Sequence, residues 1–323
     1  MTKQLAEKVS LLAGKKILIV GDVMLDEHLW STVNRISQEA PVPVANVQSV
    51  TYSPGGAAYA ANNIVALGGE VFLVGVTGDD VAGAQLKDIL KEKNITDQYL
   101  VTTPKRQTTQ KTRIIAHGQH IVRVDREDRE EVGPELSGKI IENIDKAIEM
   151  ADGVIISDYD KGVVTSEISQ YIINACHAKG KVVAVDPKGE DFSKYKKATI
   201  VMPTLKEAET AAKVSYLTEK NLQKIGLKLL TIIESEYLII ARGEGGMDLF
   251  YPDKPARHIP AAVKEVFDAT GIGDTQICVL TMALAAGLNI QDAADMATAG
   301  AGVVSSKSGI AVIEGSELKD ALD

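Results

Sequence analysis

Cysteine is scarce in this chain: two in 323 residues, Cys176 and Cys278, with no CxxC pair. That excludes a disulfide framework, and two lone thiols in separate predicted helices read as free cysteines of a reducing compartment. Basic charge is also in deficit. A formal net charge of −9 argues against sequence-independent nucleic-acid binding, which needs a positive field to displace counterions. It leaves room for a local basic pocket. No stretch reaches 18 apolar residues without a charge, and the run from Ile277 to Ala286 is half that length, so it reads as a buried helix and no membrane span is expected. The N-terminal MTKQLAEKVSLLAGKK lacks the apolar core of a signal peptide. Low-complexity tracts, internal repeats and linkers are missing as well. The expectation is a cytoplasmic, soluble protein with residues 1–323 in one domain.

What is present is alternation. Short β-branched runs at 16–22, 71–76, 153–158, 182–186, 199–203 and 237–242 are almost continuously apolar, as parallel strands buried on both faces are. Helical patterns fall between or after them, near 56–67, 81–93, 135–151, 165–178, 218–233, 273–287 and 291–306. Strand–helix alternation predicts an α/β fold with a doubly wound, mainly parallel sheet. Ligands in such folds bind beyond the carboxyl ends of the strands. Those ends read GD, SDYDKG, DPKG, MPT and ARGEGG, rich in charge and glycine. Two segments, 40–52 and 107–127, have period-2 patterning without a helix, the second turning at HGQH. They predict a small antiparallel β lid, formed from about 36–53 and 106–127.

Several motifs carry less than they promise. GPELSGKI (133–140) satisfies the start of a phosphate loop, but Ile140 stands where a Ser or Thr would hold magnesium. No strand precedes it, and Pro134 with Glu135 reads as a helix start. GIGDTQ has Gln276 in place of the third glycine of a dinucleotide fingerprint, and it lies near the C-terminus. His117 and His120 flank a turn without a third metal partner.

FDATGIGDTQICVLTMALAAG (267–287) is different. Amides at a helix start lack intrahelical partners and carry partial positive charge. Gly271, Ile272 and Gly273 can therefore cradle a phosphoryl group. Asp274 falls at the first turn, where the dipole and nearby donors favour its ionised form. It is a candidate general base toward an attacking hydroxyl, or else a helix cap.

DATGIGD (268–274) resembles the Asp-Thr-x-Gly-Ala-Gly-Asp signature of the ribokinase-like carbohydrate kinases, and PGGAAYAANNIVALGG (54–69) resembles their glycine pair near residue fifty. The order and spacing agree along essentially the whole chain. GDVMLDEHLW, RISQEAPVPV, ISDYDKG and DPKGEDFSKYKKAT are similar to the kinase domain of the heptose-7-phosphate kinases of lipopolysaccharide-precursor synthesis. The resemblance implies ATP-dependent phosphorylation of the anomeric hydroxyl of D-glycero-D-manno-heptose 7-phosphate, giving the 1,7-bisphosphate. Many members also carry a nucleotidyltransferase domain with a His-x-Gly-His motif. That motif is not found in this sequence, which reads as the kinase half.

The resemblance also implies roles. Asp274 is the base, with the amides of Gly271, Ile272 and Gly273 holding the developing phosphoryl charge. Magnesium bridges the nucleotide phosphates mostly through water, with Glu207 as an outer partner. Whether a monovalent cation is required stays open. Arg242, Gly243, Gly245 and Gly246 lie against the nucleotide, or simply turn a hairpin before DLFY; Lys188, Thr204 and Thr298 complete that side. For the sugar, Asp22 and Asp26 accept from vicinal hydroxyls, Gly55 and Gly56 allow close approach, and Asn63 adds an amide. Lys111, Arg113, Gln119 and Arg123 of the lid face the substrate phosphate, or form a solvated strand face. Lids in this family pair between subunits, so a homodimer is expected.

Four positions depart from the family pattern. Tyr59, Thr204 and Thr298 each replace an asparagine, and Ile272 replaces an alanine. A backbone donor survives at 272. A phenol at 59 cannot reproduce an amide's paired donor and acceptor, so a related kinase for another sugar, sugar phosphate or nucleoside, or a weakly active sugar-phosphate-binding relative, are the alternatives.

Overall fold

The computed structural model describes residues 2–262, 271–307 and 311–323. Its strands are β1 (Lys16–Gly21), β2 (Val23–Ile36), β3 (Pro43–Gly56), β4 (Glu70–Gly78), β5 (Leu100–Thr103), β6 (Thr109–Ala116), β7 (Gln119–Arg126), β8 (Gly153–Ser157), β9 (Val182–Asp186), β10 (Ile200–Val201), β11 (Tyr237–Ala241), β12 (Met247–Phe250) and β13 (Arg257–Ile259). The helices are α1 (Thr2–Lys8), α2 (Ala57–Ala66), α3 (Val81–Glu92), α4 (Pro134–Ile148), α5 (Ser166–Ala178), α6 (Leu205–Ala212), α7 (Glu219–Ile233), α8 (Ile272–Ala285), α9 (Ile290–Ser305) and α10 (Gly315–Asp320).

The main sheet has the order β13-β12-β11-β10-β9-β8-β1-β4-β5. It is parallel from β11 to β5 and antiparallel only at its β12–β13 end. Successive residues of β1 alternate between two cores, as the pleat requires. Ile17 and Ile19 join α2, α8 and α9 on one face, while Leu18 and Val20 join α4, α5 and α7 on the other. Each parallel strand is covered on both faces, which is why its sequence is almost continuously apolar. Cys176 and Cys278 are buried free thiols in these opposite cores, and burial pushes the Cys176 thiol up to about 12.

The second sheet, in the order β3-β2-β6-β7, is the lid. It is larger than the sequence implied. The 14-residue β2 rises directly from β1 and pairs antiparallel with β3 and parallel with β6, so the lid starts at Val23 rather than near 36 and contains one parallel seam. His117 and Gly118 turn the β6–β7 hairpin with φ of 53° and 74°, the positive values that a tight two-residue hairpin loop demands. GPELSGKI opens α4 with Pro134 in the first turn, as its chemistry indicated. No helix among the described residues is long and apolar enough to cross a membrane.

Candidate active site

Strands β11, β10, β9, β8 and β1 are neighbours running the same way. Their carboxyl ends therefore line up and place Arg242, Thr204, Asp186, Asp158 and Asp22 along one edge of the sheet. The N-terminus of α8 meets this row. Of the signature at 268–274, the first three residues lie outside the described residues. Gly271 precedes α8 with φ 78°, and the helix behind it is apolar all round and buried from Thr275 to Ala283. Thr275 donates to Asn63 Oδ1 at 3.1 Å and Cys278 to the Ala60 carbonyl at 3.3 Å, which locks α8 onto α2.

Two cavities open on either side of this tip. One, of about 370 Å³, is lined by Ile272, Gly273, Thr204, Gly243, Gly246 and Thr298, with Ala301 and Gly302 on its wall. The other, of about 190 Å³, is lined by Gly271, Asp274, Tyr59 and Tyr159 from below and by Asp26, Lys111, Arg113 and Arg123 of the lid above. One helix start thus shows two of its residues to a mostly aliphatic slot and a carboxylate to a cationic one.

The lid's register explains the second cavity. Asp26 lies opposite Lys111, and His28 opposite Arg113, which is itself opposite Arg123. Alternation puts these side chains on one face of the sheet. Arg113 pairs with Asp26, Lys111 bonds Asp125 at 3.0 Å, and Arg123 bonds the same Asp125 at 2.8 Å. Lys111 also reaches Glu127, which Lys161 holds at 3.0 Å. The opposite face carries the rows Val50, Leu29, Ile114, Val122 and Tyr52, Glu27, Thr112, Val124.

Asp274 does not have the low pKa that a helix dipole alone would give. Burial pushes its carboxyl up to about 6, with Asp26 adding to the rise, while Tyr159, its own backbone amide and Lys188 pull the other way. Tyr159 Oη donates to Asp274 Oδ1 at 2.6 Å. Desolvation outweighs the donors here because the charge has left water.

Several expected contacts lie elsewhere. Asp22 is 1% exposed, and its carboxylate accepts from the amides of Tyr159 (2.8 Å), Lys161 (3.2 Å) and Val163 (3.2 Å) instead of lining the smaller cavity. Asn63 is fully buried and engaged by Tyr59 and Thr275. Gly55 backs the Asp26 side chain: a Cβ there would lie 2.5 Å from Asp26 Oδ2. Gly56 does line the cavity, while Gln119 stands exposed at the tip of the β6–β7 hairpin. On the other side, Arg242 contributes to the larger cavity, but its guanidinium is committed to Glu219, Asp248 and Tyr216. Gly245 sits in the short turn between β11 and β12. That turn is both a hairpin loop and a cavity wall. Gly246 is obligatory in it, with φ 81° and a would-be Cβ 2.7 Å from the Ala261 amide nitrogen.

Glu207 and Lys188 pair with each other, and Glu207 also closes a capping box with Thr204 at the start of α6. The replacement of asparagine by threonine at 204 thus keeps a helix cap. Three features escaped the sequence reading. Asp186, at the end of β9, has its carboxyl pushed well above the usual range by burial, with Asp274, Glu207 and Asp158 adding to it and Lys188 opposing. Tyr159 touches the candidate base. Tyr59 donates to the Ala311 carbonyl at 2.5 Å, bracing the site where the sequence suggested only a lost asparagine.

Curated relatives of the name bifunctional protein HldE are 41% identical in Desulfatibacillum aliphaticivorans (96% of this chain, 64% of the relative) and 41% identical in Geotalea uraniireducens (94% and 62%). The chain therefore spans less than two thirds of the length of these relatives. Among solved structures, phosphofructokinase-2 from Escherichia coli in complex with potassium superposes with a TM-score of 0.79 at 16% identity, covering 96% of this chain and 98% of that one. Arabidopsis thaliana ribokinase complexed with ribose and ATP gives 0.75 at 16%, covering 96% and 99%. Both confirm the ribokinase-like fold. The model of the pfkB family carbohydrate kinases matches residues 15–314, and the chain belongs to that family.

Proposed function

We propose that this chain transfers the terminal phosphoryl group of ATP to the anomeric hydroxyl of D-glycero-D-manno-heptose 7-phosphate. The observation that carries the reading is the α8 tip, which shares its four residues between two cavities of unlike chemistry. The aliphatic slot beside Thr298 suits a nucleotide base, with the amides of Ile272 and Gly273 toward its phosphates. The cationic cavity suits a sugar that already carries an anion. Asp274 takes the proton of the attacking hydroxyl, whose oxygen bonds to the terminal phosphorus as ADP leaves. The amides at the tip stabilise the charge spread over the transferred group.

Lys111, Arg113 and Arg123 line the same cavity as Asp274, and their positive charge suits the phosphate of a sugar whose hydroxyl meets that carboxylate. Magnesium would be held near Glu207, whose carboxylate now pairs with Lys188. When bound with ATP it supplies charge neutralisation, and Glu207 would hold it through water. Exposed Val50, Tyr52, Val122 and Val124 on the outer lid face support a homodimer through the lid. Two buried free thiols suit a reducing cytoplasm.

The test is ADP release with ATP and a panel of heptose 7-phosphate, the unphosphorylated heptose, hexose 6-phosphates and ribose. A 1,7-bisphosphate with an anomeric phosphorus signal, formed from heptose 7-phosphate with the highest kcat/KM, is expected. Equal turnover of the unphosphorylated heptose, or no ADP release with any acceptor, overturns the reading.

A further inference from the structure

The loop 158–163 has an unusual construction that the reaction scheme leaves unexplained. It wraps around one carboxylate: Asp22 accepts from three of its amides, at 2.8, 3.2 and 3.2 Å. Asp160 and Gly162 take positive φ of 58° and 83°, so the amides turn inward toward the acid, an anion-binding concavity made of main chain. Asp158 Oδ1 accepts from the Asp160 amide at 2.7 Å. From the lid side, Glu127 fixes the Lys161 ammonium at 3.0 Å. A loop so anchored holds its one outward aromatic side chain, Tyr159, in a fixed place. That place is 2.6 Å from Asp274 Oδ1, at the wall of the sugar cavity.

We propose that Tyr159 is a positioning residue for the base: its phenol holds Oδ1 of Asp274, leaving Oδ2 as the oxygen that receives the acceptor's proton. The inference rests on the kinase reading of the site and adds to it. A carboxylate free to rotate would present either oxygen; one fixed by a short charge-assisted bond presents one. The phenol keeps its own proton, since burial and the neighbouring Asp274 raise its pKa well above the usual tyrosine value. The proton that moves is therefore the hydroxyl's, and it ends on Oδ2. The bond also opposes burial by favouring the ionised carboxylate. Every charged or titratable neighbour of this carboxyl enters the balance: Asp26 and the paired Arg113, Lys111 and Arg123 from the lid, Asp186 and Lys188 after β9, Tyr59 from α2, and Cys278 on α8 itself.

Tyr159→Phe tests this, because phenylalanine keeps the ring and all the main-chain anchors of the loop. The expected result is an unchanged melting temperature to within a few degrees and an unchanged KM for ATP. The kcat should fall at least tenfold at pH 6.5, and the acid limb of kcat/KM should move to higher pH by about one unit, with partial recovery near pH 8.5. A purely structural tyrosine would not move that limb, and a pH profile superposable on the wild type overturns the proposal. Should the wild type leave heptose 7-phosphate untouched, the substrate reading fails separately. Carbon-13 NMR titration of aspartate-labelled protein, with Asp274→Asn assigning the signal, then decides the inference without any acceptor. An upward move of the Asp274 titration in Tyr159→Phe supports it, and no move overturns it.

Discussion

The ring of Tyr59 lies flush against Gly271: a Cβ on residue 271 would stand 2.5 Å from its Oη. The same tyrosine ties α2 to the Ala311 carbonyl at 2.5 Å, so it braces the tip that carries Asp274. Gly271→Ala adds both this clash and a side chain at φ 78°, a region that costs L residues about 1–2 kcal/mol. We expect a loss of about 2–4 kcal/mol in stability and of about 100-fold in kcat, the scale of a 1 Å misplacement. Tyr59→Ala in the same chain should recover part of the stability in a double-mutant cycle. A strictly additive cycle would show that the two positions do not meet.

Asp274 should cost the fold what it gives the chemistry. Its folded pKa of about 6 lies above the 3.8 of a free aspartate, so the folded state binds the proton more tightly. That contribution is complete below pH 3.8 and is lost as pH rises through 6. Asp274→Asn should therefore be more stable than the wild type at pH 8, by about 1–2 kcal/mol after allowance for partial exposure, with the gain shrinking toward pH 4. Phosphoryl transfer should vanish while both substrates still bind. Thermal melts at pH 4, 6 and 8 with calorimetric titration check this; normal turnover by the variant would remove the base from the mechanism.

Strands buried on both faces announced themselves because every residue of Leu18–Val20 or Ile155–Ile156 must be apolar, a local signal. The lid strand β2 did not. VMLDEHLWSTVNRI mixes a cavity-lining Asp26 with Leu29 on the opposite face, and its charges hide the alternation. Asp22 and Asp26 look alike four residues apart, but what separates them is non-local. Three amides more than 130 residues downstream close over Asp22, while a lid arginine meets Asp26. The meeting of Tyr159 with Asp274 spans 115 positions and exists because α8 packs against β8, whose end leads into Tyr159. The start of α8 itself was legible, since glycine spacing at a helix start is local chemistry. The pKa of its acid was not, since burial belongs to the fold.

Arg123 and Lys111 share Asp125, so in the proposed reading a substrate phosphate would compete with that acid. Arg123→Ala should raise KM for a phosphorylated acceptor by about 10–100-fold, the worth of one charge-assisted hydrogen bond. KM for ATP should not change. Asp125→Asn should lower the acceptor KM by freeing both cations. Identical acceptor KM values in all three proteins would remove the phosphate from this part of the lid.

On the outer lid face Val50, Val122, Val124 and Tyr52 are each 42–48% exposed, a run of apolar side chains that a second copy can cover. Val122→Asp with Val50→Asp should convert a dimer into a monomer in sedimentation at micromolar concentration, without lowering the melting temperature of the monomer by more than a few degrees. If both proteins sediment as monomers, the lid pairs with nothing under these conditions and the dimer reading falls.

Lys181 offers a test of stability alone. Its ammonium donates to the carbonyls of Ile148 (2.5 Å), Ala151 (2.6 Å) and Glu149 (3.1 Å), groups at and beyond the end of α4 that have no intrahelical partner. A cation there also complements the negative end of the helix dipole. Lys181→Met keeps the aliphatic stem and removes the donors, at an expected cost of about 1–3 kcal/mol. Arginine should restore part of it. Lys181 precedes β9, at the opposite end of the strand from Asp186, so kcat and both KM values should not move. A melting temperature unchanged in Lys181→Met would mean that water serves those carbonyls equally well, and an altered kcat would mean that the two ends of the sheet are coupled.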